Sequence, residues 1–414
     1  MRQGGESNTL SQSRDGQLLP GGNSEEVEPS AHRAECIRRD SNTVSRDSMH
    51  VMIAGTRGIP AKHGGFETFA EDLSLFLTAR GHRVTVYCQG ESAPALAEDD
   101  WNGVHRVEIP SASHSVGTIS YDWATTMHCS RQEGVVLTLG YNTGVFSLIY
   151  RLRHVPNVMN MDGIEWKREK WSLPQRCWLW FNEWAGARFA NHVVADHPEI
   201  SMHLQRHTAE GKISVIPYGA DAVTSAPTEV LTRHQMTRKG YYLLIARPEP
   251  ENSILEIVKA FSSHRASYPL LVLGDYSGDS KYRRQVLDAA GSKVHFAGAI
   301  YDREAVRALR FHARGYIHGH RVGGTNPSLV ESLAAGNAII AHDNRFTRWV
   351  AGEKATFFTQ TQDLEEILYS LEQNPLQLSE MEEASRQRHR QQFEKDKVLA
   401  AYEKLLLRAL GYQR

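Results

Sequence analysis

Residues 50–87 run as a compact apolar strand, a glycine-containing loop, an amphipathic helix and a second strand, and the same order of elements begins again near residue 241. His50-Val-Met-Ile-Ala-Gly55 is the first strand. Phe66, Phe69, Ala70, Leu73, Phe76 and Leu77 then recur at helical spacing until Arg80-Gly81 stops them, and Val84–Tyr87 resumes as a strand. Further strands are expected at Val135–Leu139, Val158–Met161, His192–Ala195 and Ile213–Pro217. After a polar, turn-prone stretch at Asp221–Lys239, a second set is expected at Tyr241–Ala246, Leu270–Gly274, Lys293–Ala297, Gly315–Ile317 and Ala338–Ala341. Apolar strands alternating with helices specify an α/β chain with two doubly wound, Rossmann-like domains and a cleft between them. The expected division is a tail over 1–48, domains over 49–222 and 223–385, and a C-terminal helical segment over 386–414 that packs back across the domain junction.

The tail lacks any aromatic residue and is rich in Ser, Gly, Glu and Arg, a composition that predicts disorder. The remaining chain is long enough for two cores, and 41% hydrophobic residues can fill them. A net charge of −1 argues against a surface built for nucleic acid. The four cysteines are scattered without disulfide or zinc spacing. With no apolar run of membrane-spanning length, the expectation is a cytoplasmic protein, soluble or peripheral at the membrane.

The chemistry concentrates in His318-Gly-His-Arg-Val-Gly-Gly-Thr-Asn-Pro-Ser-Leu-Val-Glu331. Pro327 suits the first turn of a helix, Thr325 or Asn326 can cap it, and Gly336-Asn337 can end it. Gly323 and Gly324 let the backbone approach a ligand, so amides and the positive helix end suit a diphosphate. One turn further in, Glu331 can accept hydrogen bonds from vicinal sugar hydroxyls. Diphosphate plus ribose describes a nucleotide-sugar; a plain strand-to-helix turn with a solvated glutamate is the simpler alternative.

In the first half, Gly55-Thr-Arg-Gly58-Ile-Pro60-Ala-Lys-His-Gly64-Gly65 follows a strand and opens a helix, but its spacing is not the dinucleotide fingerprint G-x-G-x-x-G. Gly64 and Gly65 are expected close to a ligand, with no room for a side chain at Gly65. Arg57 and Lys62 are candidate cations on the acceptor side. Arg247 follows a strand and can clamp a leaving diphosphate, while Asn252 reads as a helix cap. Five of the eight tryptophans fall in Asp162–Phe189 among Lys and Arg. Trp178 and Trp184 read as core; Trp166, Lys167 and Arg168 read as an acceptor-side surface suited to a glycan or to lipid headgroups. His318 and His320 have no nearby carboxylate or cysteine, so no metal site is assigned to them. The chain contains no Asp-x-Asp pair, and this favours charge stabilisation by amides and arginine.

At these residues the chain resembles glycosyltransferase family 4, and most of all its bacterial rhamnosyltransferase-like branch of polysaccharide-assembly enzymes. Three stretches carry the likeness: Arg57–Phe69, Asp162-Gly-Ile-Glu-Trp-Lys-Arg-Glu-Lys-Trp171 and Gly323–Glu331. The resemblance implies a GT-B fold, a nucleoside-diphosphate sugar donor held mainly by the C-terminal domain, retention at the anomeric carbon and no metal or other cofactor. It implies ribose binding by Glu331, diphosphate binding by Arg247 and a sugar-facing position for Asp162. The chain departs from the family at Gly323, where a glutamate is usual, at Asn252, where a lysine is usual, and at Asp162, where a histidine is usual.

The sequence therefore reads as a retaining glycosyltransferase moving a hexose or deoxyhexose, rhamnose among them, to a surface-polysaccharide acceptor that is a glycan or lipid-linked glycan. Asp162, Arg247 and Glu331 are its catalytic candidates. The alternatives are a non-catalytic sugar-nucleotide or glycan-binding module and a GT-B type epimerase.

Overall fold

The computed structural model describes residues 48–61, 64–90, 96–111, 115–168, 170–263 and 267–411. The first half builds an eight-stranded sheet from β1 (His50–Ala54), β2 (Arg83–Gly90), β3 (Ala97–Trp101), β4 (Val104–Pro110), β5 (Val135–Leu139), β6 (Asn157–Asn160), β7 (His192–Ala195) and β8 (Ile213–Val215), in the order β3-β4-β2-β1-β5-β6-β7-β8. The second half builds a six-stranded sheet from β9 (Tyr242–Ile245), β10 (Leu270–Leu273), β11 (Val294–Gly298), β12 (Gly315–His318), β13 (Ala338–His342) and β14 (Thr356–Phe358), in the order β11-β10-β9-β12-β13-β14. Every pairing is parallel except that of β3 with β4. Strands such as Val51–Ala54 and Leu270–Leu273 are buried throughout because helices cover both faces of each sheet. This is the pair of Rossmann-like domains that the repeated strand-helix pattern demands.

Both sheets reverse their direction of winding beside their first strand. In the first, β1 lies between β2 and β5; in the second, β9 lies between β10 and β12. Ligands of open α/β sheets bind at such switch points, beyond the carboxyl ends of the strands. Arg247 follows β9, His320 follows β12, and the Gly55 loop follows β1. The fold itself therefore collects these residues.

Two strands of the first sheet and one of the second were not expected. β3 and β4 form a hairpin around Asn102-Gly103, whose φ values of 50° and 81° are those of a tight two-residue turn. Asn-Gly is the sequence signature of that turn, so this hairpin was legible. Short β14 completes the far edge of the second sheet.

The C-terminal segment is two helices. Pro375–Gln392 packs on β13 and on the helix Pro327–Ala334, whereas Lys395–Ala409 packs against β5, β6 and the helix Gly65–Ala79. Val398, Leu399, Tyr402, Leu405 and Leu406 thereby enter the core of the first sheet. The chain crosses between the sheets at Ala220 and again at Phe393–Lys395, and the crossings pair: Ala220 N donates to Phe393 O (2.9 Å) and Lys395 N to Ala220 O (3.2 Å).

Candidate functional site

The helix Pro327–Ala334 starts as its sequence requires, with Pro327 in the first turn and the Asn326 side chain accepting from Ser328 N at 2.9 Å. Asn326, not Thr325, is the cap. The next amides, Leu329 N and Val330 N, donate to Asn326 O, so the helix start keeps its positive end but has few free donors. Among the described residues the amides of Gly323 and Gly324 have no hydrogen-bond partner. They are the donors left for an anion.

This loop lies directly against the first domain. Thr325 N donates to Asp196 Oδ2 at 2.7 Å, and the Thr325 hydroxyl donates to Asp196 O. Thr325 and Asn326, expected to touch a donor, are thus engaged by Asp196 and by the helix cap. A Cβ on Gly324 would stand 2.3 Å from both Asp196 carboxylate oxygens, and Gly323 has a φ of +124°. Both positions require glycine, one for space and one for backbone angle. Gly65 does not: it begins a helix, and a Cβ there would meet only Pro327 Cγ at 3.7 Å, an ordinary contact. The expectation that Gly65 excludes any side chain is therefore corrected. Gly65 nevertheless faces the start of the Pro327 helix, whereas a Cβ on Gly64 would meet only Glu67 Oε2 at 3.0 Å.

Asp196 is buried, its Oδ1 has no partner, and its carboxyl is held well above the usual range by burial and by the nearby Asp162. Asp162 sits just past β6 with a left-handed φ of 51°, and its amide donates to Asn160 Oδ1 at 2.9 Å. Its carboxyl is pushed up to about 6, chiefly by burial and then by Glu165, while Arg168 opposes the shift. Asn160 in turn donates to the Tyr402 hydroxyl at 2.8 Å, which ties the last helix to the site. The backbone bend at Asp162 is unusual for a residue other than glycine, and it aims this loop at Gly323-Gly324: a Cβ on Gly163 would lie 3.7 Å from Gly324 N.

Arg247 is exposed and forms no ion pair among the described residues. Asn252 does not cap a helix; its Nδ2 donates to Arg247 O at 2.8 Å and holds the arginine's loop, while Ser253 takes the cap position. His320 stacks on His318, with ring centroids 4.4 Å apart and planes within 11°. Burial, with Arg247 and Arg168 adding, lowers the His320 pKa to about 4, so the ring is neutral at ordinary pH and its unpartnered Nδ1 is able to serve a ligand. Sequence spacing weighs His320 only as a metal ligand, since Arg247 and Arg168, which act on its ring, come from other segments. Glu331 is part-exposed and paired with Arg310, whose Nη2 also donates to Ser328 Oγ at 3.0 Å. A charged, oriented carboxylate with one free oxygen suits a pair of sugar hydroxyls.

On the first domain, a cavity of about 550 Å³ opens at the β1/β5 switch point, lined by Arg57, Glu67, Asp122, Thr138, Thr143 and Trp171 among others. Burial pushes the Asp122 carboxyl up to about 6, against a hydrogen bond from Thr143 Oγ1 (2.9 Å). Arg57 lines this cavity. Lys62 lies outside the described residues. Arg168 reaches Glu251 of the second domain at 3.8 Å and Glu165 at 3.0 Å, so it spans the cleft.

The core reading of Trp178 and Trp184 is corrected. Trp166 packs on the first domain's core and donates to buried Glu183 at 3.0 Å, with Lys167 over its ring at 5.4 Å. Trp178 and Trp184, read as core, are 41% and 36% exposed. Spacing alone did not show which face of the helix Leu173–Phe189 the small residues Ala185, Gly186 and Ala187 would pull inward.

Residues 48–221 match a family described as a domain of unknown function, DUF1972. No curated protein matches the chain in sequence. Solved structures do resemble it: a sucrose-phosphate synthase from Thermosynechococcus elongatus (TM-score 0.72, 14% identity, 88% of this chain and 100% of that one); a glycosyltransferase from Rickettsia africae (0.67, 14%, 89% and 100%); and HepE of Anabaena in complex with UDP-glucose (0.64, 13%, 88% and 100%). The chain has the GT-B fold that these structures share.

Proposed function

We propose that this GT-B chain is a glycosyltransferase that moves a hexose or deoxyhexose, rhamnose among them, from a nucleoside-diphosphate donor to a surface-polysaccharide acceptor with retention of configuration. The observation that carries the reading is one of placement: unpaired Arg247 follows β9, while neutral His320, the free amides of Gly323 and Gly324 and the Glu331 carboxylate follow the adjacent strand β12, and Arg247 is near enough to help lower the His320 pKa. HepE of Anabaena was crystallised with UDP and with UDP-glucose, and this supports a nucleotide-sugar donor for a chain of the same fold.

In this reading Arg247, the two glycine amides and the positive helix end take up charge as the diphosphate leaves, so transfer proceeds without a catalytic metal or other cofactor. Glu331 holds the ribose. Asp162, as a carboxylate, accepts from a sugar hydroxyl at the reacting centre, and the first-domain cavity with Arg57 seats the acceptor. The departing phosphate oxygen takes the proton of the incoming acceptor hydroxyl, which needs no separate strong base.

An exposed aromatic face adjoins that cavity and supports a lipid-linked acceptor met at the inner face of the membrane. Trp123, Trp178, Trp180, Phe181 and Trp184 are 36–49% exposed. Trp123 packs on Phe146 (5.4 Å) and Trp178 donates to Asn142 O (3.0 Å), and both partners line the cavity. The helix Leu173–Phe189 carries Arg176 and Arg188 and, apart from buried Glu183, no acidic residue. Aromatic rings with basic neighbours suit an anionic bilayer interface. No helix among the described residues is long and apolar enough to cross a membrane, so contact would be peripheral.

Thermal stabilisation by a panel of nucleotide-sugars tests the donor claim. At least one nucleoside-diphosphate sugar should raise the melting temperature; a panel without effect on the native chain would sink the reading.

A further inference from the structure

We propose that Glu183, His203 and His207 form a binding site for a divalent transition-metal ion of the zinc type, structural in role and independent of the sugar-transfer reading. Glu183 lies in the helix Leu173–Phe189, His203 in the last turn of the helix Pro198–Leu204, and His207 four residues on, in the turn that follows. One ligand atom from each lies within 4.8 Å of the other two. Glu183 Oε1 is 2.7 Å from His203 Nε2 and 3.4 Å from His207 Nε2.

Ligands about 2.0–2.1 Å from a tetrahedral zinc stand roughly 3.3 Å apart, so the second distance already fits and the first must open by about 0.6 Å. Two imidazoles and one carboxylate favour zinc-like ions over calcium or magnesium, which take oxygen donors. The set is also supported from outside. Trp166 Nε1 donates to Glu183 Oε2 at 3.0 Å and fixes the carboxylate with Oε1 toward the two rings. Glu183 is only 1% exposed, and a buried carboxylate calls for compensating positive charge. His207 remains partly open, which leaves an entry path and a fourth position for water. On binding, any proton on either Nε2 leaves to solvent, and the ring nitrogens contribute lone pairs.

The consequence is mechanical. Trp166 belongs to the turn Glu165–Lys167, which precedes the cleft-spanning Arg168. A metal at Glu183 would pin this turn to two helices behind it.

Metal-stripped full-length chain should be titrated with Zn²⁺ against a chromophoric chelator, with Co²⁺ as a spectroscopic substitute. The expected result is one equivalent bound, a rise of several degrees in melting temperature, and the visible absorption of tetrahedral Co²⁺ without sulfur charge-transfer bands. His207→Ala should weaken Zn²⁺ binding at least about a hundredfold, and Trp166→Phe about tenfold, as loss of an outer hydrogen bond does. His207→Gln serves in place of an alanine variant that does not fold. Absence of stoichiometric binding, or binding unchanged in the His207 variants because other histidines hold the metal, would overturn the site and leave a hydrogen-bonded cluster.

Discussion

The side chain of Asp196, at the end of β7, accepts a hydrogen bond from the backbone amide of Thr325 at 2.7 Å, 129 residues away and in the other domain. It fixes the glycine loop in front of the Pro327 helix against the first domain. The carboxylate also fills the space that any side chain on Gly324 would need.

Gly324→Ala should therefore cut kcat/KM at least about tenfold, or roughly 1.4 kcal/mol, while overall unfolding shifts little. Asp196→Ala should also lower activity by freeing the loop. In the double variant the alanine at 324 has room, so the two losses should fall well short of additive. A double-mutant cycle with strictly additive losses would show that the contact does not limit the site.

Glu331→Gln keeps the shape of the side chain but leaves buried Arg310 without its anion and a ribose with a weaker acceptor. Donor affinity in calorimetry should fall at least about tenfold, since hydrogen bonds to a charged group are worth about 1.5–3 kcal/mol each. Unchanged affinity would remove Glu331 from the donor site.

Asp162 predicts a pH profile. Its carboxyl titrates near 6, raised from 3.8 chiefly by burial, so the acceptor form is lost as pH falls through that value. kcat/KM should decline below about pH 6, and Asp162→Asn should have low activity without that limb. The sign for stability is opposite. A raised carboxyl favours the folded state when protonated, so its contribution is complete below pH 3.8 and is lost as pH rises toward 6. Asp162→Asn should flatten both curves in that window; a limb that persists in the variant would assign it to another group.

The aromatic face predicts lipid dependence. Replacing Trp180, Phe181 and Trp184 together with serine should abolish sedimentation with vesicles rich in phosphatidylglycerol while leaving turnover of a water-soluble acceptor unchanged. Native chain that ignores such vesicles at low salt would contradict a membrane-facing role.

Much of the scaffold was legible in the sequence because parallel strands buried on both faces leave continuous apolar runs, and because Pro327 and the residues before it define a helix start almost alone. Asn102-Gly103 marked its hairpin equally well, although the polar Ala97–Trp101 strand it joins resembles loop. Candidates for the site could be named from the sequence where one segment carries the signal, at Arg247, Gly323-Gly324 and Glu331. Asp196, His320 and Arg310 could not be, since each acquires its meaning from partners distant in sequence. Trp166 and Trp184 show the same limit: helical spacing gives the stripe, while burial depends on which face the rest of the chain covers.

A transferase differs from a binding module by acceptor-dependent departure of a nucleoside diphosphate, here from a site built around Arg247. The measurement is release of free nucleoside diphosphate from the stabilising nucleotide-sugar, with and without a lipid-linked glycan, for the native chain and for Arg247→Ala. Release should require the glycan and fall at least about a hundredfold in the variant, the loss expected for removing a group that stabilises a developing anion. Release at the same rate without any acceptor, or undiminished in Arg247→Ala, would contradict the transferase reading.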